Sequence, residues 1–305
     1  MARKYYDVAA VREAITGPVP SVSTAFLENG ELDWESNARN VEFLIDSGAK
    51  ALLLTFGDSL LSVLRDTEVM ELTKFVTEQA KGRAMVIGCG KPWCLQQTVE
   101  FAEECANTGC DVVIPVPPDW AQHCDSKMLK TYFATIGKIA PVMLLSNLMN
   151  GRGIPMDVVD DLTPEEGIVA IKDDTPTPYG RRLGTATKEK FAYLSGGTFD
   201  GFLDVAPYGA DGYLSVFFRA FPQVDHAFWK AYTEGRLSDA VAINEKYEVP
   251  FFKWCAANGA NFDAGIRGMM EIAGITKRYC RMPYSHLTDK QLESLKVFLA
   301  ERELI

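Results

Sequence analysis

Residues 167–174 read Gly-Ile-Val-Ala-Ile-Lys-Asp-Asp, an apolar run that ends in a lysine and two acids. Because no polar side chains alternate with the apolar ones, the run predicts a strand that is buried on both faces. Parallel α/β enzymes keep their chemistry at the carboxyl ends of such strands. The segment therefore predicts a buried amine, Lys172, at the end of a parallel strand.

Apolar runs alternate with amphipathic stretches as far as about residue 218. The predicted strands cover residues 19–26, 51–55, 84–89, 111–115, 141–146, 168–172, 192–195 and 212–216. The predicted helices between them cover residues 34–47, 67–80, 95–107, 126–139, 156–161, 179–187 and 198–206. Strands and helices in this alternation predict the α/β class and a (β/α)8 TIM barrel. A doubly wound sheet is the alternative, but the first strand is not followed by the Gly-x-Gly-x-x-Gly of dinucleotide-binding folds.

The end of the chain has a different pattern. Residues 227–234, 237–257, 262–275 and 288–303 carry Leu and Phe at helical spacing, and no further strand is predicted. We therefore expect residues 1–220 to form the barrel and residues 221–305 to form a C-terminal helical extension packed on it. About three helices should lie beyond the eighth helix of the barrel.

Composition limits the possible partners. The chain has 305 residues, 47% of them hydrophobic, and a net charge of −10. A nucleic-acid or anionic-membrane surface needs clustered Lys and Arg, which this acidic balance argues against. The seven cysteines are scattered without a Cys-x-x-Cys pair, as is typical of reduced thiols. We expect a soluble, cytoplasmic protein with no nucleic-acid partner and no membrane partner.

Lys172 is the candidate nucleophile. Burial disfavours the charged ammonium, and the neutral amine is the form that attacks a carbonyl carbon. The ordinary alternative is a strand-end lysine paired with Asp173 or Asp174. Lys91 is a rival amine after the predicted third strand, but its flanking glycines and proline indicate a tight, more exposed turn.

Several segments resemble one known family in their order and spacing. They are Ser23-Thr24-Ala25-Phe26, Gly30-Glu31-Leu32-Asp33, Ile45-Asp46-Ser47-Gly48-Ala49, Ile171-Lys172-Asp173, Leu194-Ser195-Gly196-Gly197 and Gly209-Ala210-Asp211-Gly212-Tyr213-Leu214-Ser215-Val216. Over nearly the whole chain, the sequence resembles the dihydrodipicolinate synthase/N-acetylneuraminate lyase family of class I lyases. The resemblance implies that the ketone of a 2-oxo acid condenses with Lys172 to form an imine, which then serves as an electron sink.

The end of the second strand matches a family segment, Gly-Thr-Thr-Gly-Glu, whose backbone N–H groups hold the substrate carboxylate. The matching residues here are Leu54-Thr55-Phe56-Gly57-Asp58. The resemblance implies that Thr55 relays protons and that Phe56 and Gly57 bind substrate. The ordinary alternative is that Thr55 only provides hydrogen bonds at the end of the strand. Gly196 and Ser215, at the ends of the seventh and eighth strands, are further substrate-binding candidates.

The segment after the fifth strand departs from the family. Where the family usually has Tyr-Asn-x-Pro-x-Arg, this chain reads Leu145-Ser146-Asn147-Leu148-Met149-Asn150-Gly151-Arg152. The proton-shuttling tyrosine is missing, and its nearest counterpart is Ser146, or Leu145 if the gap falls differently. Ser146 is therefore a candidate catalytic residue that can pass a proton through water or the substrate carboxylate. Asn147 and Arg152 are candidates for substrate binding, although a surface ion pair explains Arg152 equally well.

Aromatic residues near the strand ends are candidates for an apolar wall of the site. They are Phe56, Trp120, Phe199, Phe217 and Phe218. The alternative is that they belong to the core, where aromatic residues are more often found.

The missing tyrosine disfavours the reaction of a true dihydrodipicolinate synthase. We expect a carbon–carbon or carbon–oxygen lyase, either a pyruvate-type aldolase or a 2-keto-3-deoxy sugar-acid aldolase or dehydratase. A 2-oxo acid-binding homologue with lost or altered catalysis is the alternative. The family also implies a homodimer or a homotetramer.

A metal-dependent aldolase on the same barrel would need clustered His, Asp and Glu ligands. The chain has only His123, His226 and His286, and none lies at a predicted strand end. We therefore expect no metal and no cofactor.

Overall fold

The computed structural model describes residues 4–148 and 153–305. Its parallel sheet has eight strands in the order β1-β8-β7-β6-β5-β4-β3-β2. The strands are β1 (Gly17–Pro20), β2 (Ala51–Leu53), β3 (Met85–Pro92), β4 (Val112–Val116), β5 (Val142–Leu145), β6 (Ile168–Asp173), β7 (Ala192–Ser195) and β8 (Gly212–Ser215). The two edges meet where Ser21 forms a parallel bridge with Leu53. The predicted α/β class and the predicted (β/α)8 TIM barrel are confirmed.

Helices surround the sheet, and further helices follow its last strand in the sequence. They are α1 (Val8–Ile15), α2 (Trp34–Asp46), α3 (Asp66–Ala80), α4 (Leu95–Thr108), α5 (Ser126–Gly137), α6 (Met156–Asp161), α7 (Thr177–Thr187), α8 (Phe199–Val205), α9 (Pro222–Thr233), α10 (Leu237–Lys246), α11 (Glu248–Ala257), α12 (Phe262–Ile272) and α13 (Asp289–Ala300). Within the described ranges, no helix combines the length and apolar character that crossing a bilayer requires. α1 was not predicted from the sequence; Asp7 caps it by accepting from the Ala9 N–H over 3.0 Å.

The apolar run of residues 168–171 forms most of β6, between β5 and β7. Every residue of this strand is buried, as the unbroken apolar pattern predicted. Lys172 is in register with Leu145 of β5 and Leu194 of β7. Gly167, just before the strand, has a φ of +81°, and a Cβ there would lie 2.1 Å from the Gly137 carbonyl oxygen. Because only glycine fits this approach, α5 can pack directly against the start of β6.

The first strand is shorter than predicted. β1 ends at Pro20 rather than continuing to residue 26. Beyond it, the Ala25 N–H donates to the Asn37 side chain over 2.9 Å, and the Asn37 amide donates to the Ala25 carbonyl over 3.1 Å. Ser21 and Val22 still pair with Leu53 of β2, but at Ala25 the segment bonds to α2 instead of to a neighbouring strand.

The predicted helix over residues 237–257 is wrong, since α10 and α11 are separate helices. Pro250 has no N–H to donate to the Lys246 carbonyl four residues earlier, so a continuous helix would lose that bond. The Lys246 carbonyl accepts instead from Arg302 Nε over 3.2 Å. Four helices, α10 to α13, thus follow α9 in place of the expected three.

Aromatic packing and a buried arginine connect the C-terminal helices to the barrel. The Phe228 ring of α9 stacks on Phe199, with ring centroids 4.0 Å apart. Arg267 of α12 donates through Nη1 to the Thr24 carbonyl over 2.5 Å. The boundary at residue 220 stays a prediction.

Two carboxyl groups are buried where these helices meet the barrel. Asp225 accepts from the Tyr213 hydroxyl over 3.1 Å, and Glu248 accepts from the Phe199 N–H over 2.6 Å. Burial raises the pKa of Asp225 to about 7, against hydrogen bonds from Ser215 and Tyr213 and the charge of Arg219, which lower it. Burial likewise raises the pKa of Glu248 to about 8, and the Phe199 N–H opposes this rise. Both groups therefore hold a proton in the folded chain at a pH where the unfolded chain has lost it.

We expect the free energy of unfolding to fall as the pH is raised from about 5 to about 8. Such a carboxyl group has a higher pKa in the folded chain than in the unfolded chain. It stabilises the fold when the pH is below its pKa in the unfolded chain, and this stabilisation is lost as the pH rises through its pKa in the folded chain. Each group contributes a slope of up to about 1.4 kcal/mol per pH unit. Urea unfolding at several pH values should show a flatter profile for Glu248→Gln. The exposed change Glu293→Gln is the matched control and should keep the original slope; equal slopes in all three proteins would contradict the assignment.

Candidate functional site

The carboxyl ends of the strands surround a cavity of about 600 Å³, a size typical of small-molecule sites. Its described lining includes most of the predicted site residues. These are Thr55, Phe56, Gly57, Asn147, Lys172, Gly196 and Ser215. The barrel thus brings together residues that are far apart in the sequence, as expected from their positions at the predicted strand ends.

Lys172 lies in the cavity wall and is only 4% exposed. Its Nζ is 2.5 Å from both carboxylate oxygens of Asp174, whose side chain is 30% exposed. The ion pair that the sequence offered as an ordinary alternative is therefore present, and its partner is Asp174 rather than Asp173. Burial in the cavity wall and pairing occur together, so the amine is shielded from solvent and adjacent to a proton acceptor.

Asp173 has a different role from its neighbour. Its carboxylate accepts from Ser146 Oγ over 2.5 Å, from the Tyr193 hydroxyl over 2.8 Å and from Thr175 Oγ1 over 2.6 Å. Burial, with the Asp173 charge, raises the pKa of Tyr193 well above its ordinary value. This network joins β7 to the ends of β5 and β6 behind Lys172.

Ser146 belongs to that network and is fully buried outside the described cavity lining. Besides donating to Asp173, its oxygen accepts from the Asp174 N–H over 3.1 Å. Leu145, the other candidate for the tyrosine position, does line the cavity. The predicted role of Ser146 as a proton relay stays a prediction, and the structure gives its hydroxyl a positioning contact instead.

Two hydrogen bonds between Thr55 and Ser59 hold the loop after β2. The Thr55 N–H donates to Ser59 Oγ over 3.0 Å, and the Ser59 N–H donates to Thr55 Oγ1 over 3.4 Å. Thr55, Phe56, Gly57 and Asp58 all line the cavity, and the position of a Cβ at Gly57 is open. Thr55 therefore forms hydrogen bonds at the end of the strand and also lines the cavity.

The remaining candidates differ in their contacts. The Ser215 oxygen accepts from the Phe218 N–H over 2.9 Å. A Cβ at Gly196 would lie 1.9 Å from Asp174 Oδ1, so this glycine makes room for the partner of Lys172. Asn147 lines the cavity and forms an antiparallel bridge with Gly153. Arg152 lies outside the described residues.

A charged pair in the wall, whose arginine is buried, was not predicted as part of the site. Arg219, only 1% exposed, has Nη2 3.7 Å from Asp58 Oδ2 and donates through Nη1 to Ser23 Oγ over 3.3 Å. Asp58 also accepts from Ser21 Oγ over 3.1 Å. The signal in the sequence was an arginine within the apolar segment 216–221, directly after the eighth strand. The pair offers donors and acceptors to a polar ligand.

The apolar wall comes mainly from unexpected residues. Phe56 lines the cavity as predicted, together with Phe252 of α11 and Phe262 of α12. Phe199, Phe217 and Phe218 are instead fully buried in the core. The C-terminal extension thus contributes directly to the site.

The rival nucleophile lies elsewhere. Lys91 is outside the cavity lining that the structure describes, and its Nζ contacts the Leu64 carbonyl at 2.9 Å and Asp66 Oδ1 at 3.0 Å.

His226 Nε2 is 3.0 Å from the Ser47 carbonyl oxygen. In the part of the chain that the structure describes, no three His, Cys, Asp or Glu side chains gather as a metal ligand set.

Residues 14–302 match the Dihydrodipicolinate synthetase family. The chain is 27% identical over 293 residues to 4-hydroxy-tetrahydrodipicolinate synthase of Geobacter metallireducens, covering 95% of this chain and 99% of the relative. It is 24% identical over 306 residues to the Escherichia coli protein named "Probable 2-dehydro-3-deoxy-D-pentonate aldolase YjhH", covering 95% and 98%.

A solved structure has a similar fold. YagE of Escherichia coli K12, a prophage protein of the dihydrodipicolinic acid synthase family solved with pyruvate, superposes with a TM-score of 0.82. The two chains are 23% identical, and the alignment covers 95% of this chain and 99% of YagE. This likeness supports the barrel fold.

Proposed function

Because this chain belongs to the dihydrodipicolinate synthetase family, we propose that it makes or breaks a bond of a 2-oxo acid through an imine on Lys172. The predicted family and the predicted enzyme class are confirmed by this membership, since relatives in the family are class I lyases and aldolases. The chain is thus a Schiff-base lyase for pyruvate-type substrates.

The observation that carries the role of Lys172 is a buried amine in the wall of a strand-end cavity. Imine formation needs a neutral amine shielded from bulk water, together with a nearby group that can take its proton. Lys172 is 4% exposed and touches the Asp174 carboxylate, while Lys91 lies outside the described cavity lining. These contacts favour Lys172 as the nucleophile.

The loop after β2 supports a binding mode for the substrate. Thr55 and Gly57 line the cavity at this loop, where a carboxylate can accept from backbone N–H groups. We assign the 2-oxo carboxylate to the N–H groups of Phe56 and Gly57, and proton relay to Thr55. Asn147, Gly196 and Ser215 line the remaining wall, and binding by Arg152 stays a prediction.

The rest of the cavity lining favours a substrate with both polar and apolar surface. The Arg219–Asp58 pair offers donors and acceptors suited to hydroxyl groups, and Phe252 and Phe262 offer apolar contact. We therefore propose a 2-keto-3-deoxy sugar acid, cleaved to pyruvate and an aldehyde or dehydrated. The similarity to an aldolase of this substrate type supports the choice. The expected homodimer or homotetramer stays a prediction.

Borohydride trapping tests the central step. The protein is incubated with pyruvate, reduced with borohydride, digested and mapped by mass spectrometry. We expect the reduced adduct on Lys172, and the absence of any adduct would contradict the proposal. Release of pyruvate from a panel of 2-keto-3-deoxy sugar acids then separates aldol cleavage from dehydration, which consumes the substrate without releasing pyruvate.

A 2-oxo acid-binding homologue without turnover is the second candidate. The observation that favours it is the described cavity lining, which contains no tyrosine. This candidate predicts that the imine forms on Lys172 but no aldehyde or hydroxylated 2-oxo acid is converted. Turnover of any member of the panel would exclude it.

A further inference from the structure

Few groups in the cavity can exchange a proton. In the described lining, the ionisable side chains are Asp58, Cys89, Lys172, Asp174 and Arg219. An arginine stays charged, and burial raises the pKa of the Cys89 thiol to about 12, so neither exchanges protons readily. Asp58 faces Arg219 and accepts from a serine hydroxyl. The Asp174 carboxylate is therefore the exchanging group in direct contact with the amine.

The fold holds Asp174 in this contact from two sides. Its backbone N–H donates to Ser146 Oγ over 3.1 Å, which fixes the chain just beyond β6. On the other side, Gly196 leaves the space that the carboxylate occupies, since a Cβ there would lie 1.9 Å from Asp174 Oδ1. Both carboxylate oxygens then lie 2.5 Å from Lys172 Nζ. With 30% of the side chain exposed, the carboxylate also remains open to a ligand.

We propose that Asp174 is the catalytic acid and base for imine formation at Lys172, an inference that rests on the proposed function. The Asp174 carboxylate accepts a proton from the Lys172 ammonium, and the neutral nitrogen bonds to the ketone carbon while the C=O π electrons move to oxygen. The oxygen gains a proton and the nitrogen loses one through Asp174, which gives a neutral carbinolamine beside the protonated carboxyl.

The second half of the step releases water. The Asp174 acid protonates the carbinolamine hydroxyl, the C–O bond breaks, and the nitrogen lone pair forms the C=N bond. The net change converts an ammonium and a ketone into a protonated imine and water, and Asp174 returns to its carboxylate form. Ser146 is a positioning residue in this scheme, because it contacts Asp174 and not the amine.

The rate of imine formation with pyruvate tests the proposal. Quenched-flow mixing with borohydride reduction, followed by intact-protein mass, gives the rate for the wild-type chain and for Asp174→Asn. The asparagine keeps the shape of the side chain but cannot exchange protons. General acid–base catalysis contributes about 100-fold or more, so we expect a loss of that size. The exposed change Asp239→Asn on α10 is the matched control and should leave the rate unchanged.

The direction of the effect separates this role from a purely electrostatic one. If Asp174 only held Lys172 as an ammonium, Asp174→Asn would free the amine and speed up imine formation; an unchanged or faster rate overturns the proposal. In Asp174→Ala, added formate should restore the rate in proportion to its concentration. A slow variant that formate does not restore would assign a structural role and overturn it as well.

The measurement on the wild-type chain separates a failure of the proposed function from a failure of the role proposed for Asp174. Absence of an adduct in the wild-type chain with pyruvate and with a panel of other 2-oxo acids overturns the proposed function and this role together. An adduct that forms at equal rates in wild-type and Asp174→Asn overturns the role of Asp174 alone.

Discussion

Lys172→Met should abolish trapping of pyruvate and reduce turnover by at least about 1,000-fold, as expected when a covalent nucleophile is removed. Methionine has a similar length and fills the same space without an amine. The Asp174 carboxylate that loses its partner is 30% exposed and can be hydrated, so the fold should persist. Trapping and turnover with pyruvate-type substrates measure the loss, and circular dichroism checks the fold.

Lys91→Met is the control for this experiment. Lys91 contacts Leu64 and Asp66 outside the described cavity lining, so its replacement should leave trapping intact. An adduct that survives in Lys172→Met and disappears in Lys91→Met would move the nucleophile to the third strand.

Gly167→Ala should destabilise the fold by at least about 3 kcal/mol, the sum of two effects. Its φ of +81° costs an alanine about 1–2 kcal/mol. The added Cβ would also lie 2.1 Å from the Gly137 carbonyl oxygen and 2.8 Å from its Cα, which forces α5 away from β6. Urea unfolding of the two proteins measures the difference in the free energy of unfolding.

Gly235→Ala separates the two effects. Gly235 has a similar φ of +72°, but nothing lies within 4 Å of the position of its Cβ. It should therefore show only the backbone cost of about 1–2 kcal/mol. Equal losses in the two variants would mean that the close approach of α5 to β6 contributes nothing to stability.

The fold could be predicted because its signals are local. Residues 168–171 form an unbroken apolar run, and such a run identifies a strand covered on both faces without knowledge of its neighbours. The break between α10 and α11 was also readable, because Pro250 removes a helical hydrogen bond wherever it occurs. The end of β1 was not, since it depends on the Asn37 side chain of another element.

The alternation of side chains along a strand explains which of the candidate residues line the cavity. Side chains alternate between the two faces of a strand, so Lys172 and Asp174 share one face and Asp173 lies on the other. The same rule puts Leu145 in the cavity and Ser146 behind it. Applied to residues 172–174, alternation would have selected Asp174 as the partner of Lys172 in advance.

The other unpredicted wall residues depend on distant packing. Phe252 and Phe262 reach the cavity because α11 and α12 fold back over the strand ends, and nothing in their local sequence indicates that position. Arg219 was visible as a charge in an apolar segment, but its contact with Asp58 requires the closed barrel.

The division of the cavity between strand ends and late helices has an evolutionary consequence. The amine is on β6 and its acidic neighbour directly follows that strand, whereas two of the rings that line the cavity come from α11 and α12. Substitutions in those helices can change which molecules fit while the bond-forming groups stay the same. Descendants of such a barrel can therefore acquire new substrates without reinventing their chemistry.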